Sequence, residues 1–197
     1  MVRGEQFEFS VPEDLNLGAY YLDVNLEAGR GNQTALYYED RTYSYLDLWR
    51  LTNKLGNVLK ELGIKKGDRV FMFMERVPEL YIAIFGALKI GAVAGPLFSA
   101  FGPDPVKDRL FDSGAKILVT QPALRRRIAG ILADLPALEH IIIVNKNQGD
   151  PDPLVKGDLA YDDLMLRSSS EFAIAQTNMY DYSVMHYTSG TTGKPKG

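Results

Sequence analysis

Polar and apolar positions follow more than one rhythm along this chain. Up to about residue 33 no period is sustained, and an irregular start is expected. TALYYEDRTYSY, residues 34–45, then reads as two short strands turning around Glu39, Asp40 and Arg41. Ser44 with Asp47 three residues later has the spacing of a capping box. Leu48, Leu51, Leu55, Val58, Leu59 and Leu62 recur at helical spacing until Gly63, which predicts an amphipathic helix with one buried face.

From Asp68 onward short apolar runs alternate with capped helical segments. VFMFM (70–74), AVAGPLF (92–98), KILVT (116–120) and HIIIVN (140–145) are predicted strands. Helices are predicted between them: PELYIAIFGALKI from Pro78, a short one from Asp104 and Pro105 to Gly114, and ALRRRIAGILADL after Pro122. NQGDPDPLVKGD (147–158) reads as a surface excursion, AYDDLMLRSSSEF as a helix fraying into a serine-rich turn, and SVMHY (183–187) as a short buried strand. The order predicts an α/β fold, a mainly parallel sheet flanked by helices from about residue 64, preceded by a hairpin and helix. Two parts are expected: residues 1–63, and an α/β unit over residues 64–197.

Composition narrows this picture. A chain with 46% hydrophobic and 24% charged residues has apolar mass for a substantial core. Its net charge of −3 gives no electrostatic footprint for nucleic acid. With no cysteine, disulfides, thiolate metal sites and a cysteine nucleophile are excluded. The opening MVRGEQFEFSVPEDLNL lacks the apolar core of a signal peptide, and a cytoplasmic location is expected. Tyr81–Phe98 is about long enough to span a bilayer, but Lys89 lies at its middle and Gly91, Gly95 and Pro96 punctuate the rest. It reads better as a buried helix followed by a buried strand, so no membrane partner is expected.

The chemistry is concentrated in HYTSGTTGKPKG, residues 186–197. A strand running into small, hydroxylated and glycine residues gathers backbone N–H groups, hydroxyls and ammonium groups around one point, which suits a polyphosphate. Each charge-assisted hydrogen bond contributes about 1.5–3 kcal/mol, so several hold a triphosphate. The loop is not a Walker A loop: only Thr191 and Thr192 separate Gly190 from Gly193, and Pro195 follows Lys194. The same residue types also make up plain solvent loops, so spacing alone leaves both readings open.

YTSGTTGKPKG, Tyr187 to Gly197, resembles the signature phosphate-loop motif of the adenylate-forming enzymes, which include acyl-CoA synthetases, luciferases and peptide-synthetase adenylation domains. RTYSYLDLWRLTNKLGNVLKELGIKKGDRV and LKIGAVAGPLF resemble that family's earlier recurring segments. FGPDPVKDRLFDSGAKILVT is similar to the acetyl-CoA synthetase branch, and HYTSGTTG to the shorter bacterial acetate:CoA ligases. The resemblance covers roughly residues 30–197 and implies a ligase that uses ATP, Mg²⁺ and CoA on acetate or another short carboxylate. By the same resemblance Thr188, Ser189, Gly190, Thr191, Thr192, Gly193 and Lys196 hold the β and γ phosphates of ATP. It also implies that the metal-contacting glutamate, the acyl and adenine sites and the catalytic lysine lie beyond Gly197. No catalytic residue is therefore assigned here, and the chain alone is expected to be inactive. The alternatives are a non-catalytic nucleotide- or pyrophosphate-binding module and a synthetase for medium-chain or aryl acids.

Outside the loop, Arg125, Arg126 and Arg127 form the one basic cluster, at the start of a predicted helix. Resemblance to acetyl-CoA synthetases implies contact with the nucleotide phosphate of CoA, although the glycines usual between such arginines are missing; a solvated helix face is the other reading. His140 and His186 lie too far apart in sequence to suggest a metal site. Trp49 reads as a packing residue, and Tyr81, Ile84, Phe85 and Leu88 as a core stripe. Asp162 and Asp163 are adjacent on a helix and make a poor acid–base pair. The early hairpin and helix are expected to lack part of their packing surface.

Overall fold

A computed structural model describes residues 11–145, 154–188 and 196–197. Five parallel strands form its central sheet: β3 (Arg69–Met74), β4 (Val93–Phe98), β5 (Ile117–Thr120), β6 (His140–Ile143) and β7 (Leu159–Ala160), in the order β4-β3-β5-β6-β7. The predicted α/β class and mainly parallel sheet are what the structure contains. Alternation along β3 divides the core. Val70, Met72 and Met74 face one layer, while Phe71 and Phe73 face the other. The first layer is packed by α1 (Leu17–Glu27), α2 (Tyr45–Glu61) and α3 (Pro78–Lys89); the second by α4 (Pro103–Ser113) and α5 (Pro122–Arg127). β3 crosses to β4 through α3 and β5 to β6 through α5, so crossovers leave β3 and β5 toward opposite edges of the sheet. Such a switch point opens a crevice at the C-terminal ends of the strands.

The hairpin forms as predicted, with β1 (Thr34–Tyr38) antiparallel to β2 (Arg41–Ser44) and Glu39 at φ 53° in the turn. Ser44 then starts α2 through a full capping box: its hydroxyl accepts from the Asp47 N–H at 3.1 Å, and the Asp47 carboxylate accepts from the Ser44 N–H at 3.0 Å. These elements find partners within the chain, while Tyr37 of β1 stays exposed. Leu55, Val58 and Leu59 are buried in the first layer, and Leu36, Tyr38 and Tyr43 of the hairpin pack against it.

Four expectations are corrected. Residues 17–27, expected to be irregular, form α1, which Asn16 caps by accepting from the Ala19 N–H at 3.2 Å. The helix predicted after Pro122 stops at Arg127, and Ala129–Asp134 form a 3₁₀ turn. Ile128 leaves helical geometry at φ −102° and ψ 7°, just before the poor helix former Gly130. On α3, Leu88 is buried as expected and Ile84 and Phe85 are half-buried against the core, but Tyr81 is exposed, and Ile82, Ala83, Gly86 and Ala87 are the other buried positions. A helix apolar all round carries no period that selects its deepest face. Ser183–Tyr187 is an edge segment of alternating half-buried and exposed residues, joined to β4 by a single parallel rung between Val184 and Ala94. No helix among the described residues is long and apolar enough to cross a membrane.

Candidate functional site

Backbone bonds from Ala94 N–H to the Ser183 carbonyl and from Met185 N–H to the Ala94 carbonyl, both 2.9 Å, hold the edge segment parallel to β4. It therefore delivers Tyr187 and Thr188 to the C-terminal edge of the sheet, on the side where α/β sheets bind ligands. Thr188 and Lys196 pair antiparallel there, with Thr188 N–H donating to the Lys196 carbonyl at 3.0 Å and the reverse bond at 3.3 Å. Thr188 and Lys196, toward the two ends of the glycine-rich motif, are thus fastened to each other. Ser189, Gly190, Thr191, Thr192 and Gly193 lie outside the described residues.

Tyr187 secures the base of this pairing. Its hydroxyl donates to Asp112 Oδ2 at 2.6 Å, with the Arg109 carbonyl 3.3 Å away, so α4 holds the ring from below. Burial, and then the Asp112 carboxylate, push the phenol well above its ordinary 10.0, and it stays a donor at neutral pH. Gly197 lies against the same ring: a Cβ built there would come within 2.8 Å of Tyr187 Cζ. The Arg109 guanidinium stacks between Phe101, at 4.4 Å, and Tyr187, at 5.5 Å. A cleft of about 300 Å³ opens beside these groups, lined by Pro96, Phe98, Phe101, Arg109, His186 and Tyr187. Sequence reading did not single out Phe101, Arg109 and Asp112. Arg109 and Asp112 are one helical turn apart, but their partner is 75 or more residues away and leaves no local signal.

The three arginines do not converge. Arg125 is buried and paired with Asp158, its Nε and Nη2 donating to Oδ1 at 3.3 and 3.2 Å, with Oδ2 within ion-pair distance of Nε at 3.0 Å. Arg127 Nη1 donates to the carbonyls of Ser99, at 2.6 Å, and Phe101, at 3.2 Å. Arg126 is exposed beside Leu154 and Val155 in a separate cleft of about 220 Å³. Because α5 is short, all three fall in its last turn, where positive charge suits the helix dipole instead of opposing it. No group of three or more His, Asp or Glu side chains able to hold a metal ion occurs among the described residues. Trp49 is half-buried, its indole N–H donating to Asp23 Oδ1 at 2.8 Å.

Comparison with known proteins follows the same lines. The model of the AMP-binding enzyme family matches residues 24–197. The chain is 42% identical over 188 residues to an acetyl-coenzyme A synthetase of Bacillus subtilis (strain 168), a match covering 93% of this chain and 32% of that protein. It is 34% identical over 199 residues to the acetyl-coenzyme A synthetase of Rubrobacter xylanophilus, covering 93% and 31%. Among solved structures, the anthranilate CoA ligase AuaEII in complex with anthranoyl-AMP superposes with a TM-score of 0.86 at 29% identity, covering 94% of this chain and 34% of that one. An acyl-CoA synthetase of Brucella canis gives 0.82 at 31% identity, covering 95% and 34%. The chain thus spans about a third of the length of the curated relatives it matches.

Proposed function

The chain belongs to the AMP-binding enzyme family, and from that premise we propose that it is the phosphate-gripping part of an ATP-dependent acyl-CoA synthetase. Acetate is the proposed acid, or another short carboxylate, in line with the names of its relatives. In the proposed reaction a carboxylate oxygen attacks the α-phosphorus of ATP, the α–β bridging bond breaks and pyrophosphate leaves. The CoA sulfur then attacks the acyl carbon of the adenylate, AMP departs, and the thiol proton passes to solvent. ATP and CoA are substrates; Mg²⁺, when bound, adds charge neutralisation at the phosphates.

The observation that carries this reading is the Thr188–Lys196 pairing at the C-terminal edge of a parallel sheet. It closes the base of a motif rich in donors. Thr188, Ser189, Gly190, Thr191, Thr192, Gly193 and Lys196 would hold the β and γ phosphates and stabilise the departing pyrophosphate by position and charge, with no protein nucleophile. Contact of Arg125, Arg126 and Arg127 with a CoA phosphate stays a proposal from resemblance, and the pairing of Arg125 with Asp158 counts against that residue's part in it. An aryl acid is the second reading, favoured by the fit to a ligase solved with anthranoyl-AMP.

Titration calorimetry of this chain with pyrophosphate tests the grip. Binding that Lys196→Ala weakens about tenfold, or ~1.4 kcal/mol, is expected; binding unaffected by that change would refute it. Carboxylate-dependent ATP–pyrophosphate exchange by the longer enzyme tests the reaction, with acetate ahead of propionate and benzoate. No exchange with any acid would leave a non-catalytic pyrophosphate-binding module. The 197-residue chain alone is expected to bind without exchanging.

A further inference from the structure

The polar face of α2 is not a solvated face. Asn53, Gly56, Asn57 and Lys60, spaced at helical intervals, form a stripe on which an extended strap, residues 168–177, lies. Asn53 Nδ2 donates to the Ser170 carbonyl at 3.0 Å, Asn57 Nδ2 to those of Ser169 and Glu171 at 2.9 and 2.8 Å, and Lys60 Nζ to that of Ala173 at 2.7 Å. Phe172 fills the notch at Gly56, where a Cβ would come within 2.6 Å of Cε2, and the Lys60 ammonium lies over the ring, 3.9 Å from its centroid. Lys89 Nζ donates to Asn53 Oδ1 at 2.7 Å, which turns the Asn53 amide so that its N–H faces the strap.

Beyond the strap the chain is held to β4 by two backbone hydrogen bonds and, at its far end, by the Tyr187–Asp112 bond. Ser183–Tyr187 meets β4 through one rung, so its register rests on few backbone bonds together with the seating of Met185 and Tyr187 against the second layer. A slip of one residue would move Thr188 about 3.3 Å along the strand and reverse the faces of Met185 and Tyr187. Upstream restraint comes from the strap, continued by the Thr177–Leu15 hydrogen bonds and the 2.7 Å Lys66–Asp181 ion pair.

We infer that the stripe Asn53–Gly56–Asn57–Lys60 acts, through the strap, as a positioning element that sets the register of Ser183–Tyr187 and so places Thr188 and Lys196 for phosphate. The role in phosphate binding rests on the function proposed above; the register claim does not. The test is the double variant Asn57→Ala/Lys60→Met in this chain, which removes three hydrogen bonds at partly exposed positions and keeps the lysine stem.

Hydrogen exchange at the Met185 and Thr188 amides is expected to quicken by about tenfold or more while β3 and the interior of α2 stay protected, since three lost hydrogen bonds exceed ~1.4 kcal/mol together. Pyrophosphate affinity is expected to fall by a similar factor, and Lys60→Arg alone to keep both properties. Acceleration confined to residues 169–173 would overturn the inference, as would uniform acceleration through β3. If wild-type chain binds no pyrophosphate, the proposed function fails and the exchange result still decides the register.

Discussion

Replacing Lys89 with methionine probes the one ammonium group sealed inside the first layer. The side chain is 0% exposed, with Nζ 2.8 Å from Asp23 Oδ2, 2.7 Å from Asn53 Oδ1 and 5.6 Å from the Trp49 ring. Methionine keeps most of the volume, so little cavity term enters. What is lost is the counter-ion of Asp23 and the donor to Asn53. Removing one partner of a buried pair costs about 3–5 kcal/mol. Asp23 keeps 17% side-chain exposure and its bond from Trp49, so the cost falls at the lower end, about 3 kcal/mol. At 197 residues that lowers the melting midpoint by about 6–12 °C. Asp23→Asn leaves the sealed ammonium uncompensated and is expected to cost more, about 5 kcal/mol.

Urea denaturation of both single variants and the double variant checks this. The double variant carries no buried charge, so the cycle is expected to show a coupling of about 2 kcal/mol or more. Singles costing under about 1 kcal/mol, or costs that add, would refute the reasoning. Burial holds the Lys89 pKa below its ordinary 10.5, with Asp23 opposing. The unfolded chain therefore binds more protons between that depressed value and 10.5. Stability from this group rises with pH through that window, and Lys89→Met is expected to lack the rise.

Two further substitutions follow. Ser44→Ala removes the α2 capping box and is expected to cost about 1 kcal/mol in urea unfolding at neutral pH. The Ser44 hydroxyl, then its N–H, hold Asp47 below the ordinary 3.8, so this advantage is complete above 3.8 and is lost as pH falls through the depressed value; a difference that grows on acidification would contradict the assignment. At Gly95→Ala the new Cβ would lie 2.4 Å from the ring of Phe71, which is fully buried. A loss of about 1–3 kcal/mol is expected, partly restored by Phe71→Leu, and an unchanged melting midpoint would count against the packing described.

Much of the sheet was legible because its strands are short apolar runs between helices opened by prolines, Pro78 and Pro122 as read and Pro103 where Asp104 and Pro105 were expected, and such signals are local. The capping box at Ser44 was legible for the same reason, as both partners lie within three residues. Tyr187–Gly197 was legible as chemistry because its residue types and order carry the motif. The geometry around it was not, since Tyr187 is held by Asp112, 75 residues away. α1 was missed because Tyr20, Tyr21 and Val24 remain exposed and blur its period.

The sequence by itself determined the alternation of strands and helices, the caps that start them and the donor-rich motif at the end, since each depends on neighbours a few residues apart. Only the tertiary structure decided what the polar positions do. Lys89, which argued against a membrane span, became the centre of a buried network through Asp23 and Asn53. Arg125 was committed to Asp158, 33 residues on. The polar stripe of α2, which looks like a face for water, was matched to carbonyls more than 100 residues later. A polar side chain satisfies its hydrogen bonds equally well in water or in protein, so its pattern in sequence leaves the choice open until the fold brings a partner to it.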